Sequence, residues 1–426
     1  MKIMKTLLIA CAATISIPTV APAKTLSDTN FTIAVIPDTQ NYTDYRHQKN
    51  EGFAFDAAEL LLQQMQYVAD NSISQGGDIV FATQLGDNWQ HQTLPIDPNH
   101  EKRGFKRVDN PVLEKGYALT PKVLTVEAPA AREAWNLVAG KLPFSVVPGN
   151  HDYDAMWTDA RHPPKPVVKS LADVGSLHVG GLDNWRSVFS SQSPFFKGKP
   201  WYVASHDGGA DSAQIFTAAG YKFLHIGLQF EAPNASLEWA ESIIKRYPGL
   251  PTIISTHNYL DLSGAREAHP LLNGHFIDPL DNDPPLVWSK FISKHDQIFM
   301  VLAGHVAGQS RRIDDNGSGH PVWQIMSDYQ GRQQTAKDAG TKAVAEGIGD
   351  GWMRLMQFDF SGSTPKVKVR TYSTHYKKFS TEEPNYNSWY KAQEHPQHSD
   401  AEYLDDDDFT LELTGFRQRF GAPKNH

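Results

Sequence analysis

The sequence predicts an α/β protein built on a mixed sheet system. Three observations carry that expectation. Six short apolar runs each end in a polar cluster, amphipathic stretches lie between several of them, and after about residue 320 the pattern turns to strands.

The first run, Thr32–Ile36, stops at Pro37-Asp38. Asp78–Ala82 leads to Gly86-Asp87, and Phe144–Val147 stops at Pro148-Gly149-Asn150-His151. Phe223–Leu228 ends near Glu231, Thr252–Ser255 at Thr256-His257, and Ile298–Leu302 at Gly304-His305. Such runs suit central strands covered on both faces. Between them, Ala58, Leu61, Met65 and Val68 recur at three- and four-residue steps, so a helix is predicted over Phe55–Ser74. Ala130–Val138 and Leu237–Tyr247 repeat the pattern, and Pro284-Pro285 opens another helix ending near Lys294. Strands are predicted over Val322–Met326, Met353–Phe360, Val367–Thr374 and Phe409–Leu413. Leu94–Pro121, His162–Leu171, Leu260–Pro285 and Tyr376–Leu404 read as long surface insertions.

The chain has 426 residues, 40% of them apolar and 11% aromatic, which excludes general disorder. Its formal charge of −8 argues against a nucleic-acid coat protein, so no nucleic-acid partner is expected. Lys2, Lys5, the apolar run Thr6–Val20 and Ala21-Pro22-Ala23 form a secretory signal pattern with cleavage after Ala23. The only cysteine, Cys11, lies inside it, so the mature chain has neither disulfides nor thiolate ligands. A lipoprotein anchored at Cys11 ranks second, because the apolar run continues past it. No later segment reaches the ~20 apolar residues of a membrane span. The expected product is exported, periplasmic or secreted, with residues 24–426 forming one domain. In that domain residues 31–310 hold the core blocks and strands over 320–415 complete the sheets.

Asp38, Asp87, Asn150, His257 and His305 each follow a predicted strand. In open α/β sheets the loops at the C-terminal strand ends are where distant side chains meet. Carboxylate, amide oxygen and imidazole are donors for hard and borderline divalent ions. Singly, each Asp reads better as a helix cap, and each His as a satisfied polar residue at a strand end. Together with Gly149-Asn150-His151-Asp152 they resemble the ordered blocks of calcineurin-like metallophosphoesterases. The blocks are Pro37-Asp38-Thr39-Gln40, Gly86-Asp87-Asn88-Trp89-Gln90, Gly149–Asp152, Thr256-His257 and Gly304-His305-Val306-Ala307. The nearest likeness is to the bacterial exported members whose first block reads Asp-Thr-Gln.

The resemblance implies a double β-sandwich flanked by helices, and a hydrolase of phosphate esters, either phosphatase or phosphodiesterase, with two divalent metals drawn from Mn, Fe, Zn or Mg. It implies that Asp87 bridges the metals, that Asn150, His257 and His305 complete one site, and that Asp38 with the Gln40 amide oxygen serves the other. His151 would face the scissile phosphate, protonating the leaving oxygen or stabilising developing charge, with Asn150 helping to hold metal and phosphate together. A metal-bound hydroxide would attack phosphorus in line. Gln40 and Ala307 stand where the family commonly has histidines, and Gln90 where a carboxylate often supports the histidine of the third block. The first site is therefore expected to be weak and oxygen-rich, with nearby His91 a candidate to compensate. The alternative is a non-catalytic binding protein that keeps one metal. The substrate is a phosphate ester of undefined class, and the sequence leaves the oligomeric state open.

Elsewhere, His225 reads as a core histidine, His206-Asp207 as a turn, and Asp405–Asp408 as a solvated turn; His269 and His275, in an insertion that could cover the site, read first as surface residues and second as substrate contacts. Trp323, Asp328-Tyr329-Gln330 and Trp352 are candidates for the cleft wall, although aromatics at strand ends mostly pack.

Overall fold

A computed structural model of the chain describes residues 29–113, 119–341 and 347–423. The signal-like segment, with Cys11 and the cleavage point after Ala23, lies outside them. In chain order the strands are β1 (Asn30–Ile36), β2 (Ile79–Gln84), β3 (Arg107–Val108), β4 (Phe144–Val146), β5 (Ala155–Asp159), β6 (Leu177–Gly180), β7 (Tyr202–His206), β8 (Asp211–Ala218) and β9 (Tyr221–Gly227). They continue with β10 (Thr252–Ser255), β11 (Ile298–Ala303), β12 (Gly308–Asp315), β13 (Pro321–Asp328), β14 (Trp352–Asp359), β15 (Lys366–Ser373), β16 (Lys378–Phe379) and β17 (Asp408–Glu412).

Two seven-stranded mixed sheets result. One runs β16-β15-β14-β1-β2-β4, with β17 also on β15; the other runs β12-β13-β11-β10-β9-β8-β7. A small third sheet, β3-β5-β6, lies outside both. Within the first sheet, β1, β2 and β4 are parallel neighbours. Within the second, β9, β10, β11 and β13 are. The parallel strands put all their C-terminal ends on one edge of each sheet, and that edge carries the site.

The alternation of side chains along each strand sorts them into separate cores. On β1, Phe31, Ile33 and Val35 join a cluster that takes members from both large sheets, including Phe81, Phe216, Phe223, Met300 and Phe358. Ala34 and Ile36 point the other way, into a cluster with helices Ala58–Asp70 and Ala128–Val138. The second sheet covers its outer face with helices Asn234–Arg246 and Pro284–Lys290. The two sheets therefore share one interior and carry helices on their outer faces. Between the sheets runs an aromatic seam. Phe31 stacks on Phe358 at 4.7 Å between ring centroids, Phe81 on Phe216 at 4.6 Å, and Phe216 on Phe223 at 5.2 Å.

Three expectations need correction. The helix predicted over Phe55–Ser74 spans only Ala58–Asp70, because the chain passes into a separate 3-10 turn at Ile73–Gln75. Asp405–Asp408 is not a solvated turn. Asp407 is fully buried, accepting hydrogen bonds from the hydroxyls of Tyr329 (2.9 Å), Tyr386 (2.5 Å) and Thr371 (2.8 Å). Nor is Tyr376–Leu404 only a surface insertion: helices Tyr386–Glu394 and Asp400–Asp405 fall in or begin within it, anchored by buried Tyr386, Tyr390 and Tyr403. Those tyrosines surround Arg332, whose guanidinium makes a bidentate pair with Glu394 at 2.8 and 2.9 Å. A core made of tyrosine, arginine and carboxylates escapes a hydropathy reading. Strands β5 and β6 were not anticipated either. Among the described residues, no helix is long and apolar enough to cross a membrane.

His225 on β9 is a core histidine. Nδ1 lies 2.9 Å from Gln214 Oε1 and Nε2 2.8 Å from Ser255 Oγ, a pattern satisfied by the neutral ring. Burial lowers its pKa from 6.5 to about 3. The unfolded chain therefore binds the extra proton, and this group's contribution is complete above about pH 6.5 and lost as pH falls towards about 3. At about pH 5 the loss amounts to ~2 kcal/mol. Denaturant melts near neutrality and at that acidity should show it, and His225→Gln should flatten the difference.

Candidate functional site

The loops that follow β1, β2 and β4 meet those that follow β10, β11 and β13. Asp38 comes from the first, Asp87 from the second, and Asn150 and His151 from a 3-10 turn after β4. His257 follows β10, His305 follows β11, and Asp328 ends β13. The loops are stitched by backbone: Thr39 N–H donates to Asp87 O at 2.9 Å, and Gly304 N–H to His257 O at 2.8 Å. Asp152 fastens the Asn150 turn, accepting from Gly149 N–H (2.8 Å), Asn88 N–H (2.8 Å) and Asn88 Nδ2 (3.1 Å). Asp87 (φ 55°) and His305 (φ 74°) sit in the left-handed region, a strain of ~1–3 kcal/mol each that the surrounding bonds must hold.

The three glycines that precede these residues explain how so many side chains fit. A Cβ on Gly86 would lie 2.3 Å from His257 Nδ1, one on Gly149 2.2 Å from Asp87 Oδ1, and one on Gly304 2.5 Å from Asp38 Oδ1. Each glycine clears the space through which a donor from another loop passes.

His257 is the hub. Its Nδ1 lies 2.7 Å from Leu85 O, which places a proton on Nδ1 and turns Nε2 inward. Nε2 then stands 3.0 Å from Asn150 Oδ1, 3.2 Å from Asp87 Oδ2 and 3.1 Å from His305 Nδ1. Asp87, His257 and His305 offer ligand atoms within 4.8 Å of one another. Four electron-pair donors face one point, and a proton on either ring satisfies only one of their contacts. A divalent cation satisfies them all, and the donor set of one carboxylate, one amide oxygen and two imidazoles fits zinc, manganese or iron. Burial opposes charge on Asp87, but His257, His151 and the His151 amide (2.8 Å to Oδ1) outweigh it and hold the carboxyl below its usual range. Burial likewise opposes charge on His257, and Asp87 reverses it, raising the ring's pKa. His305 goes well below, through burial and then the charge of His257, which keeps it a neutral donor.

The Asp38 side is different. Asp38 Oδ1 is buried without a hydrogen-bond partner and 3.7 Å from His257 Nδ1. Its Oδ2 accepts from Gln330 Nε2 at 3.3 Å, and that amide also donates to Asp328 Oδ2 at 2.9 Å. Burial, then Asp328, then Asp87 raise the pKa of Asp38 well above the carboxylate range, and burial lifts Asp328 to about 6. Gln40 lines the same cavity as Asp87, and its Oε1 is buried without a partner. The donors on this side are all oxygen. His91 does not join them: its Nδ1 lies 2.7 Å from Glu127 Oε1 in a separate buried pair.

Asp87, Asn150, His151 and His305 open onto a cavity of about 590 Å³, whose wall includes Gln90, Ala307, Gln330 and Gln393. His151 Nδ1 lies 2.7 Å from Gln90 O, so a backbone carbonyl orients the ring. Burial lowers the His151 pKa, against the pull of Asp87. Of the two readings of His269, the structure has the ring half-buried at the cavity wall. Its ring packs edge-on against His305 at 4.8 Å and lines the cavity, while its Nδ1 accepts the Leu272 amide at 3.2 Å. Of the other candidates, Gln330 reaches the wall, while Trp352 packs among the tyrosines and Trp323 against the inter-sheet core. Sequence reading had Asp328 only as a cleft-wall candidate and His269 mainly as a surface residue, because neither stands in a recognisable block; the terminal position of Asp328 on an apolar strand was the available signal.

No protein-family model matches the chain. It is 24% identical over 244 residues to the uncharacterized protein YvnB of Bacillus subtilis (strain 168), a match covering 55% of this chain and 15% of that one. The chain thus matches only a small part of that relative's length. A solved structure, GAP50, the anchor in the inner membrane complex of Plasmodium, aligns over 93% of this chain and 96% of its own, with a TM-score of 0.36 and 11% identity.

The clearance at Gly149 makes a sharp test. Gly149→Ala should displace Asp87 and cut metal uptake at least tenfold, measured by metal analysis after dialysis against a divalent salt. An equal change at Gly140, where nothing lies within 4 Å, should leave uptake unaffected.

Proposed function

We propose that the chain is a metal-dependent hydrolase of phosphate esters, on the calcineurin-like metallophosphoesterase pattern of two sheets between helices, and that it acts after export. The observation that carries this reading is the convergence of Asp87, Asn150, His257 and His305 on one point beside His151, at the rim of a polar cavity. A divalent cation held there supplies Lewis-acid polarisation of a phosphoryl oxygen and acidifies a bound water.

The protein's own groups then have defined tasks. Asp87 supplies the negative charge that retains a cation, and the His151 amide keeps that carboxylate in register. Leu85 O fixes the tautomer of His257, and Gln90 O that of His151. With its Nδ1 proton committed to Gln90, His151 uses Nε2 to exchange a proton with the leaving oxygen. Because burial lowers its pKa, the ring starts neutral near neutral pH and must gain that proton from substrate or water. Asp38, Asp328 and Gln40 offer oxygen donors to a second, weaker cation.

A second reading rests on a specific observation. The Gln330 amide bridges Asp38 and Asp328, and both commonly expected imidazoles are replaced, at Gln40 and Ala307. On that reading the protein keeps one cation and binds a phosphate ester without cleaving it.

Activity against chromogenic phosphate mono- and diesters should vanish with a chelator and return with Mn²⁺, Fe²⁺ or Zn²⁺. Asp87→Ala should lose both metal and turnover. His151→Gln should keep its metal and lose ~10²–10⁴-fold in kcat. Full turnover by Asp87→Ala would refute the reading. A metal-loaded wild-type protein inert towards both ester classes would favour the binding protein.

A further inference from the structure

A second group of histidines and carboxylates lies away from these loops. His100 is on the short helix Pro98–Lys102, His178 is on β6, and Asp278 and Asp281 follow the turn Gly274–Ile277. His100, His178 and Asp281 line a separate cavity of about 280 Å³, with Asp97 and Glu231 adding two more carboxyls, and Asp278 stands with His100 and His178.

The orientation of these groups is specific. Asp97 Oδ2 lies 2.5 Å from His100 Nδ1, which places the proton there and leaves Nε2 as the donor. A carboxylate behind the imidazole in this way is the usual support for a metal-bound histidine. His100 Nε2 faces Asp278 Oδ2 across 3.8 Å. His178 Nε2 faces Asp281 Oδ2 across 3.9 Å; it is buried and has no hydrogen-bond partner. Both gaps are too long for a hydrogen bond. They are close to the ~3.4 Å edge of a tetrahedron of ligands ~2.1 Å from a central ion. The ligand atoms of His100, His178 and Asp278 lie within 4.8 Å of one another.

The rings are already held in place. His100 packs edge-on against Trp157 at 5.3 Å and His178 at 4.9 Å, and His178 against Trp157 at 5.1 Å. Arg103 donates to Asp278 Oδ2 at 2.6 Å and lies over the Phe105 ring. A carboxylate oxygen has two lone pairs, so this guanidinium and an ion can share it.

We infer that His100, His178 and Asp278 form a second cation site, with the two imidazoles and one carboxylate that zinc takes, and Asp281 beside His178. Its ligands come from three segments that already meet in a small apolar cluster of Ile96, Phe105, Trp157 and Ile277: the Pro98–Lys102 helix, the small sheet, and the loop leading to Pro284. The ion ties these together beside the main cavity, with which the site shares the walls Leu177 and Leu272. This inference stands apart from the proposed hydrolase centre and survives if that reading fails.

The test uses the full chain with Asp87→Ala, which removes a ligand of the main centre and leaves this site intact. After zinc loading and dialysis that protein should retain a single zinc, and with cobalt it should show the intense visible absorption of a tetrahedral ion. Adding His178→Ala should abolish both, and adding Asp278→Asn should weaken retention at least tenfold. A folded Asp87→Ala protein that retains no zinc overturns the inference. So does one whose zinc is unaffected by the His178 and Asp278 changes. Should Asp87→Ala not fold, zinc content of wild type against His178→Ala decides: loss of one equivalent supports the site, and equal content overturns it.

Discussion

The contact between Asp87 and His257, 3.2 Å across the junction of two sheets, is the constraint on which the rest depends. Asp87 belongs to the first sheet's loops and His257 to the second's. Bringing them together forces a carboxylate, an amide and two imidazoles into a space with almost no solvent. Removing one partner of such a buried pair typically costs ~3–5 kcal/mol, because the other is left with an uncompensated charge or dipole. The three loop glycines are the steric counterpart of this electrostatic demand. Each gives up a side chain so that a neighbour's donor can cross its backbone.

The Asp38 side shows the same demand met differently. Two buried carboxylates cannot both stay ionised next to Asp87 without compensation. Here one glutamine amide sits between them and donates to both. That amide belongs to the segment Gln330-Gly331-Arg332, and Arg332 is clamped by Glu394 and stacked over Tyr329 at 4.0 Å. The tyrosine-rich C-terminal region thus reaches the site through a chain of two residues. Its polar core gives directional contacts where an aliphatic core would give only volume.

The parts of this architecture written locally were legible in sequence. Runs such as Ile33–Ile36 and Ile298–Leu302 are apolar at every step because they face a core on each side, and they became part of β1 and β11. Asp38, Asp87, Asn150, His257 and His305 could be picked out because each stands directly after such a run. What hid was written in polar residues with distant partners. Asp407 looked like one of four exposed acids, yet three hydroxyls from other segments neutralise its burial. Helix Tyr386–Glu394 looked like a loop because its buried positions are two tyrosines and a glutamate. His269 gave no local sign of its packing against His305.

The stacked phenylalanines between the sheets have a consequence beyond cohesion. Because the donors are split between two sheets, the spacing of those sheets sets the aperture of the donor cage. Rings such as Phe31, Phe81 and Phe358 act as shims in a vice, gauging how far apart the jaws are held. Aromatic rings are stiff and incompressible, so the gauge is hard to alter by small degrees. The fit of that cage to any ion is then partly set by the greasiest interior, remote from every atom that would touch the ion.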